Sequence, residues 1–205
     1  MYLKIMYRID ILKKLFLNKV NINQYLRKKT NLSEKDIIKL SYDIQSGSYI
    51  KSYNYNYIKS KKILNPVINE INSTNYKTLM DFGCGELTNF YTLINNIKVK
   101  NKVFIGYDLS FSRILVGKNF LKKKKKIKKN KIQLTCFCNN SIKIPLPDNS
   151  IDIVTSCHSL EPNKTNINKI LKELWRVSKK KLILLEPNNK LAEKFANKSM
   201  MQKLR

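Results

Sequence analysis

Residues Thr78 to Asn89, TLMDFGCGELTN, constrain this chain more than any other stretch. Thr78-Leu79-Met80-Asp81-Phe82 is a short apolar run of the kind that fills a buried parallel strand, and two glycines then turn the chain into a polar, helix-opening segment. The stretch therefore reads as strand, tight turn and helix start. Gly83 and Gly85 carry no Cβ to hold a ligand off the backbone, and a helix opening there offers N–H groups and a positive dipole end. Such a turn suits the anionic or polar end of a small molecule, unless it is a plain strand-to-helix connection.

The order acid, x, Gly, x, Gly, x, x, Thr narrows the choice. A dinucleotide-binding turn reads GxGxxG, whereas here Thr88 takes the third glycine position and Asp81 precedes the first glycine by two. A carboxylate beside the turn repels a pyrophosphate but favours a ligand with positive charge, as in a sulfonium carrying an α-amino group. On Asp81, Gly83, Cys84, Gly85 and Thr88 the sequence resembles the first motif of the class I S-adenosylmethionine (SAM) dependent methyltransferases. That resemblance implies that these five residues hold SAM.

Downstream segments fall in the order that a βαβ repeat requires. Leu87 to Ile94 is predicted as the crossover helix and Lys102 to Tyr107 as a second strand ending at Asp108. Asp108 lies 23 residues beyond Gly85, close to the spacing that sets a carboxylate against ribose hydroxyls; it would also serve as a helix N-cap. Ile132 to Phe137 is predicted as the third strand. Asn140 follows it, near where the resembling families place a residue beside the adenine. Ile144 to Val154, IPLPDNSIDIV, resembles the LPFPDNSFDVV stretch of methyltransferases related to ubiquinone biosynthesis, with the fourth strand over Ile151 to Ser156. His158, the one histidine of the chain, follows in a loop at the carboxyl ends of the strands, either as a base or as a polar loop residue.

Ile167, Ile170, Leu171, Leu174 and Val177 mark an amphipathic helix, and Leu182 to Leu185 a fifth strand. Lys179-Lys180-Lys181 stands where the resembling family has a Pro-Gly-Gly turn. The family closes its sheet with two further strands, and Leu191 to Leu204 has a helical pattern that cannot supply them. The expected fold is thus α/β: a Rossmann-like, doubly wound, mostly parallel sheet flanked by helices, with the closing strands missing. The expected layout is a helical extension and cofactor lid over residues 1–75, and a SAM-binding core over 76–205.

Within the extension, Tyr2, Ile5, Ile9, Leu12 and Phe16 describe one basic amphipathic helix that lies on an anionic surface or packs on the domain. Ser33 and Asp36 form a helix start, Gly47 a hinge in a tyrosine-rich segment, and Ile63 to Ile71 a short helix with Pro66 in its first turn.

The chain has 205 residues, with 41 Lys and Arg against 14 Asp and Glu, a net charge of +27. Heavy use of Lys, Asn and Ile with little Arg, Ala and Gly fits an AT-rich coding sequence, while the Lys-rich segments also fit contact with RNA or an anionic surface. Cys84, Cys136, Cys138 and Cys157 match no zinc spacing, and together with the absence of a clear signal peptide they read as thiols in a reducing cytoplasm; no metal is expected. No apolar run reaches the roughly 20 residues of a membrane span.

The resemblance implies in-line methyl transfer from SAM to a small-molecule acceptor. The fourth strand is not followed by the Asn/Asp-Pro-Pro-Tyr string of exocyclic-amine methylation, and no catalytic residue is assigned. Two alternatives stand beside it: an RNA methyltransferase, and a non-catalytic basic RNA-binding protein on a degenerate methyltransferase fold.

Overall fold

The computed structural model describes residues 2–100, 102–124, 133–138 and 142–187. Five strands form one parallel sheet in the order β3-β2-β1-β4-β5, with β1 Thr78–Phe82, β2 Val103–Asp108, β3 Gln133–Cys138, β4 Ile151–Cys157 and β5 Ser178–Leu185. Helices α5 (Thr88–Asn96), α6 (Phe111–Lys122) and α7 (Ile167–Val177) alternate with them. β1 is central because it is apolar toward both faces: Leu79 and Met80 are fully buried on opposite sides, in two separate clusters. The strand order reverses between β1 and β4, so a crevice opens at their carboxyl ends. This is the Rossmann-like arrangement expected, and among the described residues β3 and β5 form the two sheet edges.

One face of the sheet packs on Phe90, Leu93 and Ile94 of α5 together with Leu64, Val67, Ile68 and Ile71 of α4, which spans Ser48–Asn72. The other face packs on Ile170, Leu174 and Val177 of α7. The remaining helices, α1 (Tyr2–Leu17), α2 (Ile22–Lys29) and α3 (Glu34–Ile44), enclose a small core of their own around Leu12, Ile22, Leu26, Ile37 and Ile44.

The helix expected on the stripe Tyr2 to Phe16 is α1, which ends at Leu17; Lys19 then adopts a left-handed conformation at φ 62, and Asn21 caps the further helix α2. Ile9, Leu12 and Phe16 of the predicted stripe pack into that small core. The short helix at Ile63 to Ile71 is the end of the 25-residue α4, and Pro66 lies deep inside it. Tyr53 explains the continuity: it is buried between Tyr57, Tyr91 and Phe120, and its hydroxyl meets Thr92 Oγ1 at 2.9 Å, so the tyrosine-rich segment carries a core face. Lys179 to Lys181 form no turn but open β5, whose offset against β4 between Ile151 and Ile153 absorbs the missing connection. The helical pattern at Leu191 to Leu204 lies outside the described residues.

Asp152 fastens the start of β4 to the start of β1. Its Oδ2 accepts the N–H groups of Lys77 (2.7 Å) and Thr78 (3.2 Å), and its own N–H donates to Thr78 Oγ1 at 2.7 Å. Burial alone would raise the Asp152 pKa, but the Lys77 N–H and then the Lys180 ammonium outweigh it and hold the group below its ordinary value. The stabilisation is therefore present above the unfolded-state pKa and is lost as pH falls through the lowered one. Asp152→Ala should cost about 1–3 kcal/mol in urea unfolding at neutral pH, a deficit that shrinks at pH values acidic enough to protonate Asp152.

Candidate functional site

The turn after β1 is fixed by its neighbours before any ligand is considered. The carbonyl of Tyr107, at the end of β2, accepts the N–H groups of Gly83 (2.7 Å) and Cys84 (3.1 Å). Gly83 has φ +71, and a Cβ built there would sit 2.1 Å from the Cβ of Ser159. Ser159 is held in turn by its hydroxyl donating to the Phe82 carbonyl at 3.0 Å and by its N–H donating to Glu186 Oε1 at 3.1 Å. The glycine is thus required twice, by backbone conformation and by the loop after β4.

Asp108 ends β2 and turns back onto the same loop. Its Oδ2 accepts the Gly85 N–H at 2.7 Å and its Oδ1 accepts the Ser110 N–H at 2.8 Å. The carboxylate is buried, and burial raises its pKa, while the nearby Arg113 guanidinium and the two N–H donors act in the opposite sense. Beyond the turn, Leu87 adopts a left-handed conformation (φ 59) at the cap of α5, and Thr88 is the first residue of that helix.

These elements converge on a cavity of about 540 Å³, within the size range of small-molecule sites. Gly83, Cys84, Thr88 and Asp108 line it. Asp81 does not: it is buried beneath the turn, with Oδ1 accepting the Thr155 hydroxyl at 2.7 Å. Burial pushes its pKa up to about 7; the Thr155 bond opposes that rise, and the charges of Asp108 and Glu186 add to it. Gly85 contributes its N–H to Asp108 and is covered by Arg113, whose Nη2 lies 2.5 Å from where a Cβ would stand. Asn140 lies outside the described residues. His158 lines the cavity in a left-handed conformation, φ 55, with its N–H bonded to the Leu185 carbonyl.

Several lining groups were not singled out from the sequence. Tyr42 and Tyr49 flank the Arg113 guanidinium, with ring centroids 4.9 and 4.7 Å from its Cζ. Glu86, buried beside the turn, reaches back to α4. Arg113 carried one faint signal, being one of five arginines in a chain with 41 basic residues. Tyr42 and Tyr49 belong to the tyrosine-rich segment, but nothing in their spacing separates them from Tyr53, which is core, or Tyr55, which is 91% exposed. Among the described residues, no group of three or more His, Cys, Asp or Glu side chains is arranged to hold a metal, and no helix is long and apolar enough to cross a membrane.

Two outcomes follow from this geometry. Gly83→Ala should destabilise the fold by at least about 2 kcal/mol in thermal unfolding through its φ alone, and a double-variant cycle with Ser159→Gly should return a coupling that reports the overlap. Asp81 binds a proton more tightly folded than unfolded, so its contribution is complete below 3.8 and is lost as pH rises to about 7. Asp81→Asn, neutral throughout, should therefore gain stability relative to the parent across that window and hold a constant difference above it, as read by urea unfolding at a series of pH values.

Comparison with known proteins supplies the family. The pattern of the methyltransferase domain matches residues 80–185, just over half of the chain. No curated protein sequence matches. Among solved structures, the fold is similar to the YcgJ protein of Bacillus subtilis (18% identity, TM-score 0.50, 70% of this chain and 65% of that one). It is similar also to the PH0226 protein of Pyrococcus horikoshii (18%, 0.51, 68% and 62%). A SAM dependent methyltransferase of Aquifex aeolicus matches at 22% identity and TM-score 0.46, over 58% of this chain and 61% of that one. The chain thus spans less than two thirds of the length of each. With the matched region running from β1 through β5 across the turn, Asp108 and the loop after β4, the chain belongs to the class I SAM-dependent methyltransferase family.

Proposed function

We propose that this protein binds SAM in the cavity above β1 and β4 and directs its methyl group to a small-molecule acceptor in a reducing cytoplasm. The observation that carries this reading is the convergence of the glycine turn, the start of α5 and the Asp108 carboxylate on one cavity. The residues present fit the cofactor: Asp108 and Glu86 line the cavity with carboxyl groups, which suit a sulfonium and an ammonium group and disfavour a pyrophosphate, with Asp81 buried beneath the turn. Gly83 and Cys84 would hold the methionyl end, Asp108 the ribose and Asn140 the adenine. SAM supplies a methyl group on a sulfur that leaves readily. The chain's own work is then to bind, orient and exclude water. Tyr42, Tyr49 and Ile38 line the cavity from the N-terminal side, and Asn163 and Asn166 line it beside the loop after β4, where an acceptor would enter.

A cavity of about 540 Å³ beneath α3 is of a size that suits a small acceptor. The net charge of +27 favours a second reading, with RNA as acceptor. Calorimetric titration with SAM and S-adenosylhomocysteine decides the cofactor. Saturable binding is expected, weakened at least 10-fold by Asp108→Asn in a protein whose circular dichroism is unchanged. Absence of binding by the folded parent protein overturns the reading. Methyl transfer to RNA, with steep salt dependence, would replace the small acceptor by the second reading.

A further inference from the structure

Helix α4 starts without a cap of its own. Its N-cap residue is Gly47, at φ +96, which supplies no side-chain hydrogen bond to the first turn. The first-turn N–H groups of a helix need partners, and a negative group there is favoured by the dipole. Here the partner arrives from 39 residues away: Glu86 Oε1 accepts the N–H of Gly47 and its Oε2 that of Ile50, each at 2.9 Å. The Glu86 side chain is fully buried, and it follows directly on Gly85 in the turn.

The same carboxylate faces a cation. Arg113 Nε lies 3.9 Å from Glu86 Oε1, is itself buried, and has no hydrogen-bond partner among the described residues. The guanidinium bridges Tyr42, on α3, and Tyr49, in the first turn of α4. Gly117 of α6 brings that helix against the turn, since a Cβ there would lie 2.7 Å from the Glu86 carbonyl. Turn, α3, α4 and α6 therefore meet at one buried ion pair on the wall of the cavity.

We infer that Glu86 is a positioning residue: its carboxylate caps α4 from the glycine turn and holds the segment 45–50, with Tyr49, closed over the cavity. The inference rests on the cofactor reading above only for what the cavity holds, because the tether exists in the protein without ligand. Any movement of the turn as a ligand seats is transmitted to α4 through two hydrogen bonds. Conversely, loss of the cap frees Gly47, which has open space around its Cα, to act as a hinge. Neither Glu86 nor Arg113 need touch the reacting atoms.

Hydrogen–deuterium exchange on the full chain tests this without SAM, comparing the parent with Glu86→Ala and Glu86→Gln. Expected is protection of residues 45–52 in the parent, exchange at least 10-fold faster in Glu86→Ala, and unchanged protection of residues 78–82 as the sign of an intact sheet. Glu86→Gln keeps one acceptor and turns an NH₂ group toward the other N–H, so it should fall between the two; it also serves if the alanine variant does not fold. Titration with SAM then reads the consequence, a loss of about 10-fold in affinity for Glu86→Ala with partial rescue by Gln. Equal exchange at 45–52 in parent and variants overturns the tether. Faster exchange with unchanged SAM affinity overturns the positioning role. A parent that binds no SAM yet loses protection at 45–52 on substitution leaves the tether standing and removes the cofactor reading instead.

Discussion

The carboxylate of Asp108 is the joint on which the site is built. It leaves the end of β2, caps the Ser110 N–H that opens α6, and takes the Gly85 N–H of the turn after β1. One buried group thus fixes the distance between two parallel strands and the two helices that follow them. A buried carboxylate is costly unless its oxygens are engaged, and here both are. Because the turn cannot shift without breaking the Gly85 bond, Ser159, Glu186 and the loop after β4 are seated against a fixed surface. The cavity is the space these contacts leave open.

The core of this architecture was legible in the sequence because period and spacing are local properties. Apolar runs at Thr78, Lys102 and Ile151 give strands, the helical stripe from Ile167 to Val177 gives a helix with those bounds, and the acid, glycine and threonine positions give the turn. What stayed hidden was long-range. Tyr53 and Tyr49 stand four residues apart in one tyrosine-rich segment, and only the packing of α4 sends the first into the core and the second to the cavity. The lysines at 179 to 181, which stand where the resembling family has a turn, belong to β5, and a strand that begins directly after a helix leaves no signal of its own. Glu86 looked like an ordinary residue at a helix start, since its partners lie 36 and 39 residues earlier.

Charge is distributed in opposite senses inside and out. The surface is strongly basic, yet the buried polar groups around the turn are mainly acids: Asp81, Glu86 and Asp108, with Arg113 as the nearby cation. Field lines from surface lysines are screened within about 8–10 Å at physiological salt, so the interior acids set the local potential. At Asp81, burial is the main cause of the raised pKa, and the neighbouring carboxylates Asp108 and Glu186 add to it. A cationic ligand and an anionic partner surface are thus not in conflict on one small chain.

The fastening of β4 to β1 has a temporal side. Thr78 and Asp152 stand 74 residues apart in sequence, and Phe82 and Ser159 stand 77 apart. Each pairing closes a long loop, which makes a parallel sheet of this kind slow to form. A growing chain exposes the glycine turn well before the loop that fills it has been synthesised. Until β4 docks, Gly83 faces no Ser159 and the sheet lacks the neighbour on one side of its central strand. A nascent chain that has made only the signature motif therefore holds none of the cavity that the motif implies.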